Sequence, residues 1–368
     1  MSINVGAPAL AAKREAIAAR TLAWWDRERR TLAWRAAPGE TPDPYRVWLS
    51  EVLLQQTTAT AATPYYLAFV AQWPTVDRLA AAPLEAVISA FAGLGYYSRA
   101  RNLHACARAI AARGGQFPSE EAALRALPGV GAYTAAAVAA IAFGRRAAPV
   151  DGNIARILAR LTALETPIAA SCKTIAAAAE ALAPERRAGD FAQALMDIGA
   201  TVCRPLSPLC ASCPLSPDCL ALGSGAPETF PRKAASKPRP RRTGAVFFAA
   251  RPDGAVLARR RPPKGLLAAT VELPGTAWTT EGPGQGWEAA APVAARWRRL
   301  PGTVEQVFTH FALTLVVYAA PYTGAAPDGC FWVARDAVAG AGFSNVMRKA
   351  VDHALAAAPP ARTMTFPA

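Results

Sequence analysis

Two carboxylates and four thiols are the side chains whose placement in this sequence could do chemistry. Glu51 stands in WLSEVLLQQT, after two prolines and among Trp48, Val52 and Leu53, which recur at helical spacing. Burial on such a face would raise the carboxyl pKa and keep its proton at neutral pH. Asp151 stands in VDGN, eighteen residues beyond Tyr133. A carboxylic acid and a carboxylate together serve glycoside cleavage: one protonates the leaving group, the other stabilises the oxocarbenium-like sugar. For Glu51 the plainer alternative is a helix-face glutamate paired with an arginine.

The stretch that would position Asp151 is LPGVGAYTAAAVAAIAFGRRAAPVDGNIARIL, Leu127 to Leu158. A short helix from Glu120 must end at Pro128, which cannot continue it. Gly129-Val130-Gly131 then predicts a tight turn with two residues free to take positive φ. The apolar run Tyr133 to Phe143 predicts a second, buried helix. N–H groups at its start, with the positive dipole end behind them, suit a phosphate. A carboxylate close to a bound phosphodiester is electrostatically awkward and needs a chemical reason. Taken alone, the stretch is equally compatible with an ordinary helical hairpin closed by an Asp-Gly turn.

Seven cysteines are present, and four of them fall within seventeen residues as Cys203-x6-Cys210-x2-Cys213-x5-Cys219. Disulfides do not explain such crowding in a reducing compartment. Four thiolates suit either tetrahedral zinc or an iron–sulfur cubane. Zinc sites usually come as two Cys-x2-Cys pairs, and here there is one.

The elements around these residues divide the chain. Up to the cysteine segment everything reads as helix: a first helix to about Arg35, the Glu51 helix, and two or three short ones between Tyr65 and Ala92, broken at Pro74 and Pro83. An amphipathic helix follows the turn GLGYYSR, then the hairpin, a helix from Asn153 to about Leu164, and two alanine-rich helices to Gly199. Residues 226–243 carry prolines and basic residues with few apolar ones, the composition of an extended cationic linker. From Gly244 the pattern turns to β-branched, period-two runs (AVFFAA, AVLARRR, FTHFALTLVVYAA, FWVA) with one helix at Asn345–Ala357.

A formal charge of +14 favours polyanionic partners. No apolar run approaches bilayer length, the longest stopping near nine residues, and the N-terminus lacks the order of a signal peptide. These features predict a soluble protein of the bacterial cytoplasm, associated with the nucleoid.

WLSEVLLQQT, GLGYYSRARNL, LPGVGAYTAAAV, VDGNIARIL, the 6-2-5 cysteine loop and FTHFALTL resemble, together and in order, the adenine DNA glycosylase (MutY) family. The resemblance covers nearly the whole chain. It implies an all-α catalytic region with a helix-hairpin-helix (about 120–143) and a 4Fe–4S loop (203–219) over residues 1–225. The linker 226–243 and an α+β Nudix-like domain over 244–368 follow. It implies removal of adenine opposite 8-oxoguanine, or guanine, in double-stranded DNA by a monomeric enzyme. Residue by residue, Glu51 would be the acid at adenine N7, Asp151 the stabilising anion, and Asn153 would orient the pair. Arg30, Leu32, Trp34, Arg35 and Gln193 would line the adenine pocket. Gln56 and Tyr96 would fill the gap beside 8-oxoguanine, with Gly129, Val130 and Gly131 on the phosphate. Cys203, Cys210, Cys213 and Cys219 would hold the cluster, leaving Arg204 to face a phosphate backbone.

Strand-cutting relatives carry a lysine where this chain has Tyr133, and a phenol cannot form an imine. A monofunctional glycosylase is therefore expected, with Tyr133 bonded near Asp151 or the base. In the C-terminal part, Phe308-Thr309-His310 matches the family's Phe-Ser-His loop for 8-oxoguanine, with threonine in place of serine. His310 is expected on a strand edge, where a packed strand histidine would look the same. The Nudix R-E-x-x-E-E helix has no counterpart after Leu273-Pro274-Gly275, so pyrophosphate hydrolysis is not expected.

Overall fold

The computed structural model describes residues 6–94, 98–233, 238–262, 265–282 and 286–357. Tyr96, and the linker residues 234–237, lie outside the described residues. The chain forms two compact units, one of Met1–Ala82 with Asn102–Ser236, the other of Pro83–Arg101 with Lys237–Ala368.

The helices, in chain order, are α1 (Gly6–Ala12), α2 (Arg14–Glu28), α3 (Pro44–Leu53), α4 (Ala59–Gln72), α5 (Val76–Ala81), α6 (Leu84–Ala90), α7 (Ser98–Ala111), α8 (Glu121–Arg125), α9 (Ala132–Phe143), α10 (Gly152–Leu161), α11 (Cys172–Leu182), α12 (Ala188–Thr201), α13 (Leu220–Gly223) and α14 (Asn345–Ala357). In the first unit α9 is the central rod. Its composition, AYTAAAVAAIAF, is apolar all round, as a helix buried on every side must be. Alanine supplies high helix propensity with little bulk, so α3, α8 and α12 pack directly on it. Helix α10 shows the complementary design. Ile154, Ile157, Leu158 and Leu161 recur at i, i+3, i+4, i+7 and are all buried in a core shared with Trp25, Leu182, Phe191 and Ile198. Each such side chain contributes about 2 kcal/mol by leaving water.

The chain punctuation follows local chemistry. Asp43 caps α3 by accepting from the Tyr45 N–H at 2.8 Å, with Pro44 opening the first turn. Asp151 caps α10 in the same way, its Oδ1 accepting from the Ile154 N–H at 2.7 Å. Helix α2 stops at Glu28 rather than near Arg35, and residues 29–35 form an irregular segment.

The second unit is built on a seven-stranded sheet: β1 (Arg241–Ala250), β2 (Val256–Arg260), β3 (Val271–Glu272), β4 (Arg298–Arg299), β5 (Val304–Val307), β6 (Ala312–Pro321) and β7 (Cys330–Val333). The order is β3-β2-β1-β6-β4, with β5 also on β6 and β7 on β2. Strands β1 and β6 run parallel over ten residue pairs, from Arg241↔Ala312 to Ala250↔Pro321. Both faces of this central pair are covered, by α14 on one side and by Trp287 and Trp297 on the other. That is why β1 reads as a continuous apolar run instead of an alternating one.

Candidate active site

Helix α3 delivers Glu51 to the interior, where its residue is 5% exposed. The phenol of Tyr133, from the first turn of α9, donates to Glu51 Oε2 at 2.7 Å. Burial pushes the Glu51 carboxyl up to about 7. The Tyr133 hydrogen bond opposes that shift, the negative charge of Asp151 adds to it, and the charge of Arg35 again opposes it. A group poised there is an acid with a proton to give at neutral pH. Tyr133, pressed against this carboxyl in a dry site, has its own pKa raised and stays a neutral donor.

Asp151 is held by its cap. Oδ1 accepts from the Ile154 N–H and Oδ2 from the Asn153 amide at 2.9 Å. Asn153 Oδ1 in turn accepts from Arg156 at 2.9 Å, and Arg156 also donates to the carbonyls of Gly199 (2.6 Å) and Cys203 (2.8 Å). Gly199 is needed here for space: a Cβ on it would sit 2.5 Å from the Asn153 Cβ. The carboxylate orientation is thus tied, through two side chains, to the start of the cysteine segment.

A third layer lies behind the cleft wall. Asp197, fully buried on α12, accepts from the Arg30 N–H (3.0 Å), from Arg30 Nε (2.6 Å) and from Arg35 Nη1 (2.8 Å) and Nη2 (3.2 Å). Arg35 Nε donates to Gln193 Oε1 at 3.0 Å, and its guanidinium lies 4.5 Å over the Trp25 ring.

One cleft of about 1780 Å³ gathers Arg30, Leu32, Trp34, Arg35, Glu51, Gln56, Gly129, Gly131, Tyr133, Asp151, Asn153 and Gln193. Its described lining contains no lysine. Gln56, exposed at this cleft, holds φ +64, a left-handed backbone that costs a non-glycine residue on the order of 1 kcal/mol. Such strain is common where a side chain must project for function.

The turn differs in detail from its expected form. Gly129 alone takes positive φ (+71), and a Cβ there would lie 2.4 Å from that of Asn102. Gly131 has φ −84, which any residue adopts; what it offers is open space, with nothing within 4 Å of a built Cβ. Val130 is buried at 7% and its N–H donates to Leu127 O at 3.2 Å. It therefore belongs to the turn's packing, and the outward donors are the first N–H groups of α9. Tyr133 bonds Glu51 and feels the charge of Asp151 close by.

The four cysteines carry free thiols. Cys213 feels the charges of Cys203, Cys210 and Cys219, and Cys210 and Cys219 each feel that of Cys203, so the four lie near one another. Among the described residues no three His, Cys, Asp or Glu side chains are grouped to hold a metal ion. Arg160, 2% exposed on α10, donates to Cys203 Sγ (3.2 Å) and to the carbonyls of Arg204 (2.8 Å), Pro205 (3.1 Å), Pro227 (2.9 Å) and Phe230 (3.1 Å). One buried guanidinium thus frames the loop.

In the second unit Phe308, Thr309 and His310 form a bend between β5 and β6, not the strand edge expected from the run FTHFALTL, because strand pairing begins only at Ala312. Phe308 is stacked between Trp278 (6.0 Å) and Phe311 (4.8 Å), with Arg261 over Trp278 and Arg242 over Phe311. Thr309 and His310 are exposed at the tip.

Asp197, Arg156 and Arg160 were not singled out by the sequence patterns. The available signal was a charge inside an apolar helical run: Asp197 in ALMDIGA, and two arginines four apart on α10. A charge in such a run is rarely buried without a partner.

Comparison with known proteins places both units in families. Residues 49–184 match the HhH-GPD superfamily of base excision DNA repair proteins, and residues 245–353 match the NUDIX domain. A human adenine DNA glycosylase is 36% identical, the alignment covering 89% of this chain and 72% of that one. The Mycolicibacterium smegmatis adenine DNA glycosylase is 40% identical over 53% of this chain and 66% of its own. The structure of a thermostable thymine-DNA glycosylase superposes with a TM-score of 0.52 at 31% identity, covering 58% of this chain and 98% of that chain. The helical region and the Nudix-like domain expected from the motifs are both present. Among the described residues no helix is long and apolar enough to cross a membrane. With a buried acid, a capped carboxylate and these relatives, the chain belongs to the adenine DNA glycosylase family, enzymes of base excision repair that hydrolyse N-glycosyl bonds in DNA.

Proposed function

We propose that this enzyme removes adenine paired with 8-oxoguanine in duplex DNA, and that it does so without cutting the strand. The observation that carries the reading is the Glu51–Tyr133 contact beside Asp151 in a cleft whose described lining has no lysine. Tyr133 donates to Oε2, so the acidic proton of Glu51 sits on Oε1 and faces the base. Protonation of adenine N7 lets the glycosidic bond break with its electron pair leaving on the base. The Asp151 carboxylate, fixed by Ile154 and Asn153, then faces the oxocarbenium ion until water adds. The described lining offers no lysine amine to form an imine with the opened sugar. The nucleotide must leave the stack to reach these groups, and the strained Gln56 is suited to fill the space it vacates. Arg30, Leu32, Trp34, Arg35 and Gln193 form the base pocket. Thr309 and His310, on their stacked base, read 8-oxoguanine.

The donor set of Cys203, Cys210, Cys213 and Cys219 fits a 4Fe–4S cluster: four free thiols in one loop, the thiolate complement that such a cluster takes. The cluster would supply a rigid frame for residues 203–219, and Arg160 would neutralise part of its charge.

The test is single-turnover incubation with a duplex holding adenine opposite 8-oxoguanine, half of each sample being treated with alkali. Strand breaks only after alkali support base loss without lyase action. Breaks in the untreated half contradict the monofunctional reading, and none in either half contradicts the adenine assignment.

A further inference from the structure

We propose that Asp197 is a positioning residue that sets the base preference of the cleft, acting through Arg35 on the amide of Gln193. The inference rests on the adenine-pocket role given above to Arg35 and Gln193. Asp197 is fully buried, and two arginines supply its partners. One anion against two cations is more than charge balance requires, which points to a geometric task.

That task is visible in the donors of Arg35. Nη1 is held by Asp197 Oδ2 (2.8 Å) and the Arg30 carbonyl (2.6 Å), and Nη2 by Asp197 Oδ1 (3.2 Å). Trp25 fixes the plane of the guanidinium. With the plane and both amino groups held, Nε can point in one direction only, and there it meets Gln193 Oε1 at 3.0 Å. Arginine has no acceptor, so only the oxygen of the Gln193 amide can face it. The other end agrees, since Gln193 Nε2 donates to the Gly189 carbonyl at 3.3 Å. Gln193 and Asp197 lie four residues apart on α12, on one face, so a single helix carries both the reader and its anchor.

A pinned amide keeps one N–H and one oxygen lone pair in a fixed order. Adenine presents an amine donor beside a ring acceptor, whereas guanine presents a carbonyl acceptor beside a ring N–H. An amide free to rotate by a half-turn would accept either order. The Asp197–Arg35 relay removes that freedom.

The test measures single-turnover excision of adenine and of unsubstituted purine, which lacks the amine, each opposite 8-oxoguanine, with the full chain carrying its cluster. A site built to bond the amine rejects the analogue that lacks it. Asp197→Asn is expected to lower the adenine-to-purine rate ratio by about tenfold. Arg35→Lys keeps the charge for Asp197 but loses the directed Nε, and is expected to do the same; it decides alone if Asp197→Asn does not fold. Gln193→Leu serves as the reference. If Gln193→Leu lowers the ratio while the other two slow both bases equally, the relay is refuted and the pocket reading stands. If Gln193→Leu also leaves the ratio unchanged, the pocket reading fails and the inference with it.

Discussion

The two units hold their functional side chains in opposite ways. In the helical unit Glu51 is 5% exposed and the polar groups beside it are held, by the Tyr133 bond, by the Asp151 cap, and by the Asp197–arginine layer. In the sheet unit Thr309 and His310 stand exposed on a bend, whose base is the stack of Trp278, Phe308 and Phe311 between two arginines. The difference fits the work proposed above for each. A proton donor needs a raised pKa, and only desolvation of the kind a helical interior provides will raise it. A reader of a base needs polar edges in the open and a platform that does not move.

This contrast can be broken deliberately. Asp151→Asn keeps the α10 cap, since asparagine caps as well as aspartate, but removes the charge that faces the sugar cation. Excision should fall by about a thousandfold or more while duplex binding is retained; measurable turnover near the native rate would remove Asp151 from the chemistry. Arg156→Met leaves both carboxylates and all four cysteines in place and cuts the link between Asn153 and the Cys203 carbonyl. A displacement of the anion by an ångström would slow excision by about a hundredfold, checked under single turnover against unchanged cluster absorbance.

In the sheet unit the effects should be smaller and confined to selectivity. Trp278→Ala removes one side of the stack, worth about 1 kcal/mol, so the preference for 8-oxoguanine over guanine should fall by at most about tenfold. Loss of adenine excision opposite both partners in equal measure would show instead that the stack is mere packing.

Much of this arrangement is legible in the residues. The Glu51 helix, the hairpin, the cysteine spacing and α14 are local patterns, and local patterns are what periodicity and turn chemistry report. The end of α2 is different. Its continuation toward Arg35 is overridden by Asp197, 167 positions away, which takes the Arg30 N–H for itself. Val130 fails for the reverse reason: the Gly-x-Gly turn is visible, but which of its N–H groups turns inward to Leu127 depends on closure of the turn. His310 reads as a strand residue because the apolar alternation runs through it, while the pairing register of β5 with β6 begins past it. Asp197, Arg156 and Arg160 stay hidden because their partners lie on other elements.

A buried acid also has a thermodynamic signature. Because the folded pKa of Glu51 is raised, the folded state holds its proton more tightly than the unfolded chain, and stability is lost as pH rises toward about 7. Glu51→Gln removes that penalty. At pH 8 the variant should melt higher than the native enzyme, with the gap closing at pH 5; a lower melting temperature at pH 8 would mean that Glu51 is not desolvated.

The most direct test of the buried-acid account is the pH dependence of single-turnover adenine excision. With Glu51 titrating at about 7, the rate should hold at mildly acidic pH and then fall, approaching tenfold per unit, as pH rises above that value. A rate that stays flat from mildly acidic to alkaline pH, in an enzyme that still binds its duplex, would contradict Glu51 as the proton donor.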